Sequence, residues 1–307
     1  MKKTIALFLI VSAVLVGGAY VYISDNVQIA KTTLLQTNKR TAYRCLTDNK
    51  LFQQIAGTEA KGASENEAVQ FRLKQGLAGV VEILINHKGT QLRSFVTFHD
   101  LSPDSTGAEW RTDMEMSKNP IRRLTQYLQA TQIHKRMSQF LTKFQAFAPK
   151  VENVYGMKIV HTVLIDSLLV TTKASSNSYP TAQEYYNLIQ KLRSYIDLKK
   201  ATAVNYPMLN VTQVDSNLFQ TTVAIPVNTV LPGSADISFR KMFPGNILTA
   251  EVTGGAQKTE QAFVQLTNYV ADFQLVQPAI YFQSLATDRL LESDSSKWIT
   301  KLYYPIY

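Results

Sequence analysis

An order of elements written twice in the last 150 residues restricts this chain more than any other feature of its sequence. From Lys158 onward, an apolar strand-like run at Ile159 to Thr171 precedes a helical period at Thr181 to Leu198, carried by Tyr185, Leu188, Ile189, Leu192 and Ile196. Two strands follow, at Met208 to Val214 and Gln220 to Pro226. The same order returns at Asn246 to Val252, Thr259 to Phe273, Ala279 to Leu285 and Trp298 to Pro305. Local sequences echo one another too: TTVAIPV at Thr221 matches ITKLYYPI at Ile299, and YPMLNV at Tyr206 matches QPAIYF at Gln277. The pattern predicts a duplicated β-α-β-β domain over 158–307.

A different pattern fills 27–149. Val27 to Leu34 reads as an opening strand, after which Thr37 or Asn38 caps a helix with Ala42, Tyr43, Cys45 and Leu46. Four strand-like runs follow: Ala68 to Lys74, Val80 to Asn86, Leu92 to Asp100 and Ala108 to Met116. Gly76, Gly79, Lys88-Gly89 and Ser102-Pro103 separate them, at the spacing of an antiparallel meander. Beyond Asn119-Pro120 the period becomes helical, from Ile121 through Leu124, Tyr127, Leu128, Ile133, Met137, Phe140, Leu141 and Phe144 to Phe147, until Pro149 stops it. A long helix across a curved antiparallel sheet commonly leaves a cavity between the layers. Residues 150–157 are short and polar, and are expected to form a linker. At 307 residues and 45% hydrophobic content, two α+β domains with separate cores fit the length.

The amino terminus is set apart. Lys2 and Lys3 precede Thr4 to Ile23, twenty residues without a charge, enough for a helix of about 30 Å, the thickness of a bilayer core. The lysines predict a cytoplasmic N-terminus, so both domains would lie across the membrane, in the periplasm or outside the cell. Gly17-Gly18-Ala19 also offers a signal-peptidase site, so residues 1–23 read either as a single-pass anchor or as a cleaved signal, and both readings export the body. Ser24 to Met157 holds 18 Lys and Arg against 12 Asp and Glu, an excess that would suit an anionic lipid surface or serve solubility alone. Nucleic acid is not expected as a partner, because no basic helix or RNP-type aromatic pattern is present.

Two resemblances follow. The segment AYRCLTDNKLFQQI at Ala42 to Ile55, with Phe52 at a position that family fills with tryptophan, and GAEWRTDMEMSKNPIRRL at Gly107 resemble the START-like, or polyketide-cyclase-like, superfamily (SRPBCC). That likeness implies a helix-grip fold for the first domain, with a cavity that holds lipids, hormones or polyketides in some members. FPGNILTAEVTGGAQKTEQAFVQLTNYVADFQL at Phe243, followed by PAIYF and LYYPIY, resembles the GyrI-like domain, the effector-binding domain of drug-sensing MerR-type and AraC-type regulators. It implies two halves about a pseudo-twofold axis, enclosing an aromatic pocket for a small hydrophobic or amphipathic ligand. In several members a buried carboxylate there holds a lipophilic cation. The helix-turn-helix of those regulators is absent from this sequence.

The resemblance places the family's acid in the strand beginning near Pro278, which here reads Pro278, Ala279, Ile280, Tyr281, Phe282 and contains no carboxylate. Tyr281 stands at or beside that position and would suit a neutral or anionic ligand. Glu251 is the nearest replacement acid, or else an exposed strand residue. Tyr206, Tyr269, Trp298 and Tyr303 are further ligand-binding candidates by their place in the repeat, or else core fillers.

Catalytic and metal signatures are not found. GxSxG is missing, Cys45 has no neighbouring histidine in sequence, and His87, His99, His134 and His161 lack metal-ligand spacing. Glu251 with Tyr281 is the one pair nominated to activate water, the basis of a hydrolase alternative. The expectation is a binding protein without cofactor, with an interaction scaffold as the rival reading.

Overall fold

The computed structural model describes residues 17–18, 20–57, 69–77, 79–165 and 167–307. The protein is mixed α+β, with two antiparallel sheets, and divides into two compact units, Met1–Val154 and Tyr155–Tyr307. The membrane-spanning reading of 4–23 lies for the most part outside the described residues. Among those described, no helix is long and apolar enough to cross a membrane.

The first unit opens with β1 (Asn26–Leu35), followed by two short helices, α1 (Lys39–Thr47) and α2 (Asn49–Ala56). Asn38 caps α1 by accepting from the Thr41 amide at 2.9 Å, and Asp48 caps α2 by accepting from Lys50 and Leu51 at 2.8 and 3.1 Å. The meander β2 (Gln70–Leu77), β3 (Val80–His87), β4 (Thr90–Ser102) and β5 (Ser105–Glu115) completes a sheet of order β1-β5-β4-β3-β2. Lys88 and Gly89, at φ 48° and 77°, form the tight β3–β4 turn, whose twist matches that of the strands.

Helix α3 (Pro120–Phe147) starts at Asn119, which accepts from the amides of Ile121 and Arg122. It buries Ile133, Met137, Phe140, Leu141 and Phe144. Trp110 is the centre of this core. Its ring meets Phe71 at 4.7 Å and Phe140 at 5.2 Å, and its Nε1 donates to Ser94 at 2.8 Å. Aromatic rings therefore occupy the space around Trp110 between sheet and helix. Only the second half of the predicted apolar stripe is covered: Ile121, Tyr127 and Leu128 are exposed, and Arg123, buried beside them, donates to Asp25 and lies 5.0 Å from the Tyr20 ring.

The expected linker 150–157 instead holds a helical turn, α4 (Val151–Tyr155). Tyr155 is buried, and its hydroxyl donates to Asp272 at 2.8 Å, so this segment is packed rather than free.

The second unit contains β6 (Val160–Leu164), β7 (Ser167–Ser176), α5 (Ala182–Leu198), β8 (Met208–Asp215), β9 (Leu218–Val227), β10 (Ser238–Met242), β11 (Gly245–Thr253), α6 (Ala256–Asp272), β12 (Phe282–Leu285) and β13 (Ile299–Pro305). One eight-stranded sheet runs β10-β7-β9-β8-β12-β13-β11-β6. The order is symmetric: β7-β9-β8 mirrors β11-β13-β12, and each half sends its leading strand to the far edge, β6 onto β11 and β10 onto β7. The repeat is therefore β-β-α-β-β, not the β-α-β-β expected. The run 159–171 covers β6, at one edge, and the start of β7, next to the edge strand β10 at the other, and β10 had no strand signal. Edge strands alternate weakly because neither face is fully covered, and β6 and β10 are mostly exposed.

Side chains alternate across this sheet. Val170, Leu209, Val223, Ile225 and Leu285 pack with Tyr185, Ile189 and Leu192 of α5, whereas Leu169, Met208, Ala224, Ile247 and Phe282 form a second cluster on the opposite face. Helix α5 begins with a capping box, in which Thr181 and Glu184 hydrogen-bond reciprocally, while α6 begins at Gly255 with no side-chain cap.

Candidate functional site

Where the two halves meet, β8 and β12 pair antiparallel with Gln283 opposite Leu209. Above these strands, the N-terminal turns of α5 and α6 border a cavity of about 520 Å³. Tyr281 forms one wall, its ring between Phe263 at 4.5 Å and Tyr304 at 5.6 Å. Asn210 fixes that wall from the strand below: its amide donates to the Tyr281 carbonyl at 2.8 Å and its carbonyl accepts from Thr212 at 2.8 Å. Trp298 forms another wall, held by its Nε1 donating to the Glu292 carbonyl at 2.8 Å.

Polar groups converge on this apolar lining. Arg289, only 8% exposed, lies 4.9 Å beneath the Trp298 ring and donates to the Tyr185 hydroxyl at 2.9 Å and to Thr300 at 3.0 Å. Its backbone amide donates to the Tyr186 hydroxyl at 2.7 Å, which fixes the loop between β12 and β13 against α5. No carboxylate pairs with Arg289 among the described residues. Gln283 is 8% exposed, and its Oε1 is buried without a hydrogen-bond partner. Because Gln283 shares a face with Leu209 and Leu285, it points to the helix side of the sheet. Glu260 lies in the lining as an exposed residue.

Burial pushes the Tyr186 phenol up to about 12 and raises that of Tyr179 at the cavity edge, so both stay protonated near neutrality. The Tyr186 hydroxyl is engaged by the Arg289 amide and the Thr287 carbonyl, so it braces the loop, while the lining with Arg289, Tyr185 and Gln283 can recognise a polar head and cover an apolar body.

Of the six residues singled out from sequence, Tyr281 and Trp298 line this cavity. The other four lie elsewhere. Glu251 is exposed on β11, opposite Lys301 of β13, and Tyr206 is a half-exposed ring under the Lys301 ammonium. Tyr303 stacks on Phe282 at 4.8 Å, and its phenol is raised by burial. Phe282 belongs to the cluster opposite the helices, and Lys301 and Tyr303 alternate with Leu302 and Tyr304, so this group occupies the other face of the sheet. Tyr269 is a packing residue: its hydroxyl shares a hydrogen bond with His161 of β6 at 2.8 Å, and its ring stacks on Phe273 at 4.3 Å. The nominated Glu251–Tyr281 pair is therefore split across the sheet.

Sequence reasoning missed Arg289, Gln283, Tyr185 and Glu260. Tyr185 was read as core from its helical period, which it also is. A lone arginine in the polar run TDRLLESDSSKW carries no signal of burial, and Gln283 carries none in a strand of four residues.

No family model matches the chain, and no curated protein matches it. Among solved structures, the C-terminal domain of EcmrR is similar at 13% identity and a TM-score of 0.43, over 49% of this chain and 98% of that one. SAV2435 bound to tetraphenylphosphonium is similar at 15% identity and a TM-score of 0.36, over 49% and 94%. A hydrolase from Listeria innocua is similar at 10% identity and a TM-score of 0.39, over 49% and 92%.

Proposed function

We propose that this chain is a binding protein that takes a small hydrophobic or amphipathic molecule in the cavity between α5 and α6, in the manner of the GyrI-like domains its sequence resembles. One observation carries the reading: an aromatic-walled cavity of about 520 Å³, within the size range of small-molecule sites, in which Arg289, Tyr185 and Gln283 converge. The polar groups are few and held in place, as specific recognition requires.

Residues 4–23 anchor the protein in a bilayer and both units are exported, on this reading. The uncharged segment and its preceding lysines support the anchor. So do the exposed Ile121, Tyr127 and Leu128 on α3, whose Arg123 reaches Tyr20 and Asp25 at the end of that segment. The first unit, with its strand, helix pair, meander and long helix, is taken as a START-like domain that serves as a spacer or holds a lipid-like molecule of its own.

A thermal-shift panel on the full chain tests the reading, using lipophilic cations, neutral hydrophobes and fatty-acid-like anions. A bound ligand at 100 times its Kd stabilises the native state by about 2.7 kcal/mol. Stabilisation by at least one class, abolished by Ala256→Phe at the cavity edge, is expected. The scaffold reading gains if every class leaves the transition unmoved.

A further inference from the structure

The charge inside the cavity is positive, whereas the resemblance to drug-sensing domains leads one to expect a buried acid. Arg289 and Glu260 are the charged side chains among the described lining residues. Their situations differ. Glu260 is exposed, so water screens its charge. Arg289 is 8% exposed and has no carboxylate partner among the described residues, a costly state for a group that stays charged at any ordinary pH.

What holds the guanidinium is only partial compensation. The Trp298 and Tyr185 rings lie 4.9 and 5.8 Å from it, and the hydroxyls of Tyr185 and Thr300 accept one hydrogen bond each. A guanidinium has five N–H donors, and these two bonds among the described residues engage two of them. The Tyr185 hydroxyl accepts from Arg289, which leaves its own proton available to donate. Beside them the Gln283 amide is nine-tenths buried with its oxygen unpartnered, so it can turn either end to a ligand. The first turn of α6, with Ala256 and Thr259 in the lining, brings an N-terminus without a side-chain cap to the same space.

We infer that the occupant of this cavity is an amphipathic carboxylate, its head received by Arg289 and Tyr185 and its apolar body against Phe263, Tyr281 and Leu209. The inference rests on the binding reading above and specifies its ligand. A planar carboxylate matches the guanidinium fork and completes the missing ion pair. A phosphate suits the site less well, since it would bring up to two charges against a single cation with Glu260 nearby. A lipophilic cation would face a buried guanidinium that has no carboxylate partner among the described residues.

Three probes with one body and different heads separate these cases: 4-phenylbutyrate, 4-phenylbutyramide and 4-phenylbutylammonium, titrated calorimetrically into the full chain. The expected order places the carboxylate about tenfold or more ahead of the amide, with the ammonium weakest. Arg289→Gln should bring the carboxylate down to the level of the amide and leave the amide unchanged, while Arg289→Lys keeps part of the preference. Equal binding of acid and amide by the unaltered protein, or an ammonium that binds best, overturns the inference and leaves the binding reading standing. The wild-type comparison alone decides this, so the result does not depend on whether the variants fold. If none of the three binds at millimolar concentration, both the inference and the binding reading fall.

Discussion

The guanidinium of Arg289 lies 4.9 Å from the ring of Trp298, nine residues further along the same loop, and among the described residues neither has an acidic side-chain partner to account for the meeting. The loop is tied at both ends. Thr287 accepts through Oγ1 from the Ile299 amide at 2.9 Å, and Tyr186 accepts from the Arg289 amide at 2.7 Å, so the pair is presented on a fixed frame. A cation held over an indole away from water contributes about 1 to 2 kcal/mol. In a double-mutant cycle by urea denaturation, Trp298→Leu and Arg289→Gln should therefore couple by about 1 kcal/mol. Additive effects would mean that the two merely adjoin.

Tyr186→Phe removes the acceptor for the Arg289 amide and leaves a buried N–H unsatisfied, at a cost of about 1 to 3 kcal/mol. The phenol is raised to about 12 by burial, above its usual value near 10, so the folded state holds this proton more tightly than the unfolded chain. The associated stability is complete below about pH 10 and is lost progressively as pH rises toward 12. Alkaline melting curves should therefore be shallower in Tyr186→Phe than in the unaltered protein over that window.

Glu82 tests the acid limb in the first unit. It is 4% exposed and accepts from Arg93 at 2.7 Å, Lys74 at 3.2 Å and Gln75 at 3.3 Å, and the Arg93 hydrogen bond leads in holding its carboxyl below the ordinary range. A depressed folded pKa gives stability that is present above the unfolded value, near 4.5, and lost as pH falls below it. Glu82→Gln should lower the Tm at pH 7 and narrow its gap to the unaltered protein by pH 3.

Ser94→Ala isolates one hydrogen bond beneath the first sheet. Ser94 accepts from Trp110 Nε1 at 2.8 Å and donates to the Ile83 carbonyl at 2.6 Å, all of it buried. Leaving the indole N–H without a partner costs about 1 to 3 kcal/mol. The loss should appear in urea denaturation followed by Trp110 fluorescence, with no change in the affinity of the second unit for its ligand.

Elements that bury one face were legible in the sequence, and those whose placement depends on distant partners were not. The meander and α3 were plain because Ile83, Ile85, Val96 and Trp110 alternate, and Ile133, Met137, Phe140 and Phe144 recur at helical steps. The duplication was visible, yet β6 and β10 were not, since an exposed edge strand has no buried side to produce alternation. At the site, the aromatic walls Tyr281 and Trp298 could be nominated from their place in the repeat. Tyr206, Tyr269 and Tyr303 could not be told apart from them, because the same residue type serves both faces of the sheet. Arg289 was invisible for a different reason: its burial comes from Tyr185, a hundred residues away in sequence, and from the fold of its own loop.

Trp298 allows the central claim to be read at the site itself. The chain has two tryptophans, and Trp110→Phe leaves Trp298 as the only indole. Titrating that variant with whichever compound most stabilises the protein should give a saturable change in Trp298 emission, with the same midpoint as the calorimetric titration. A stabilising compound that leaves Trp298 emission unchanged at saturation would place its binding elsewhere and contradict the assignment of this cavity.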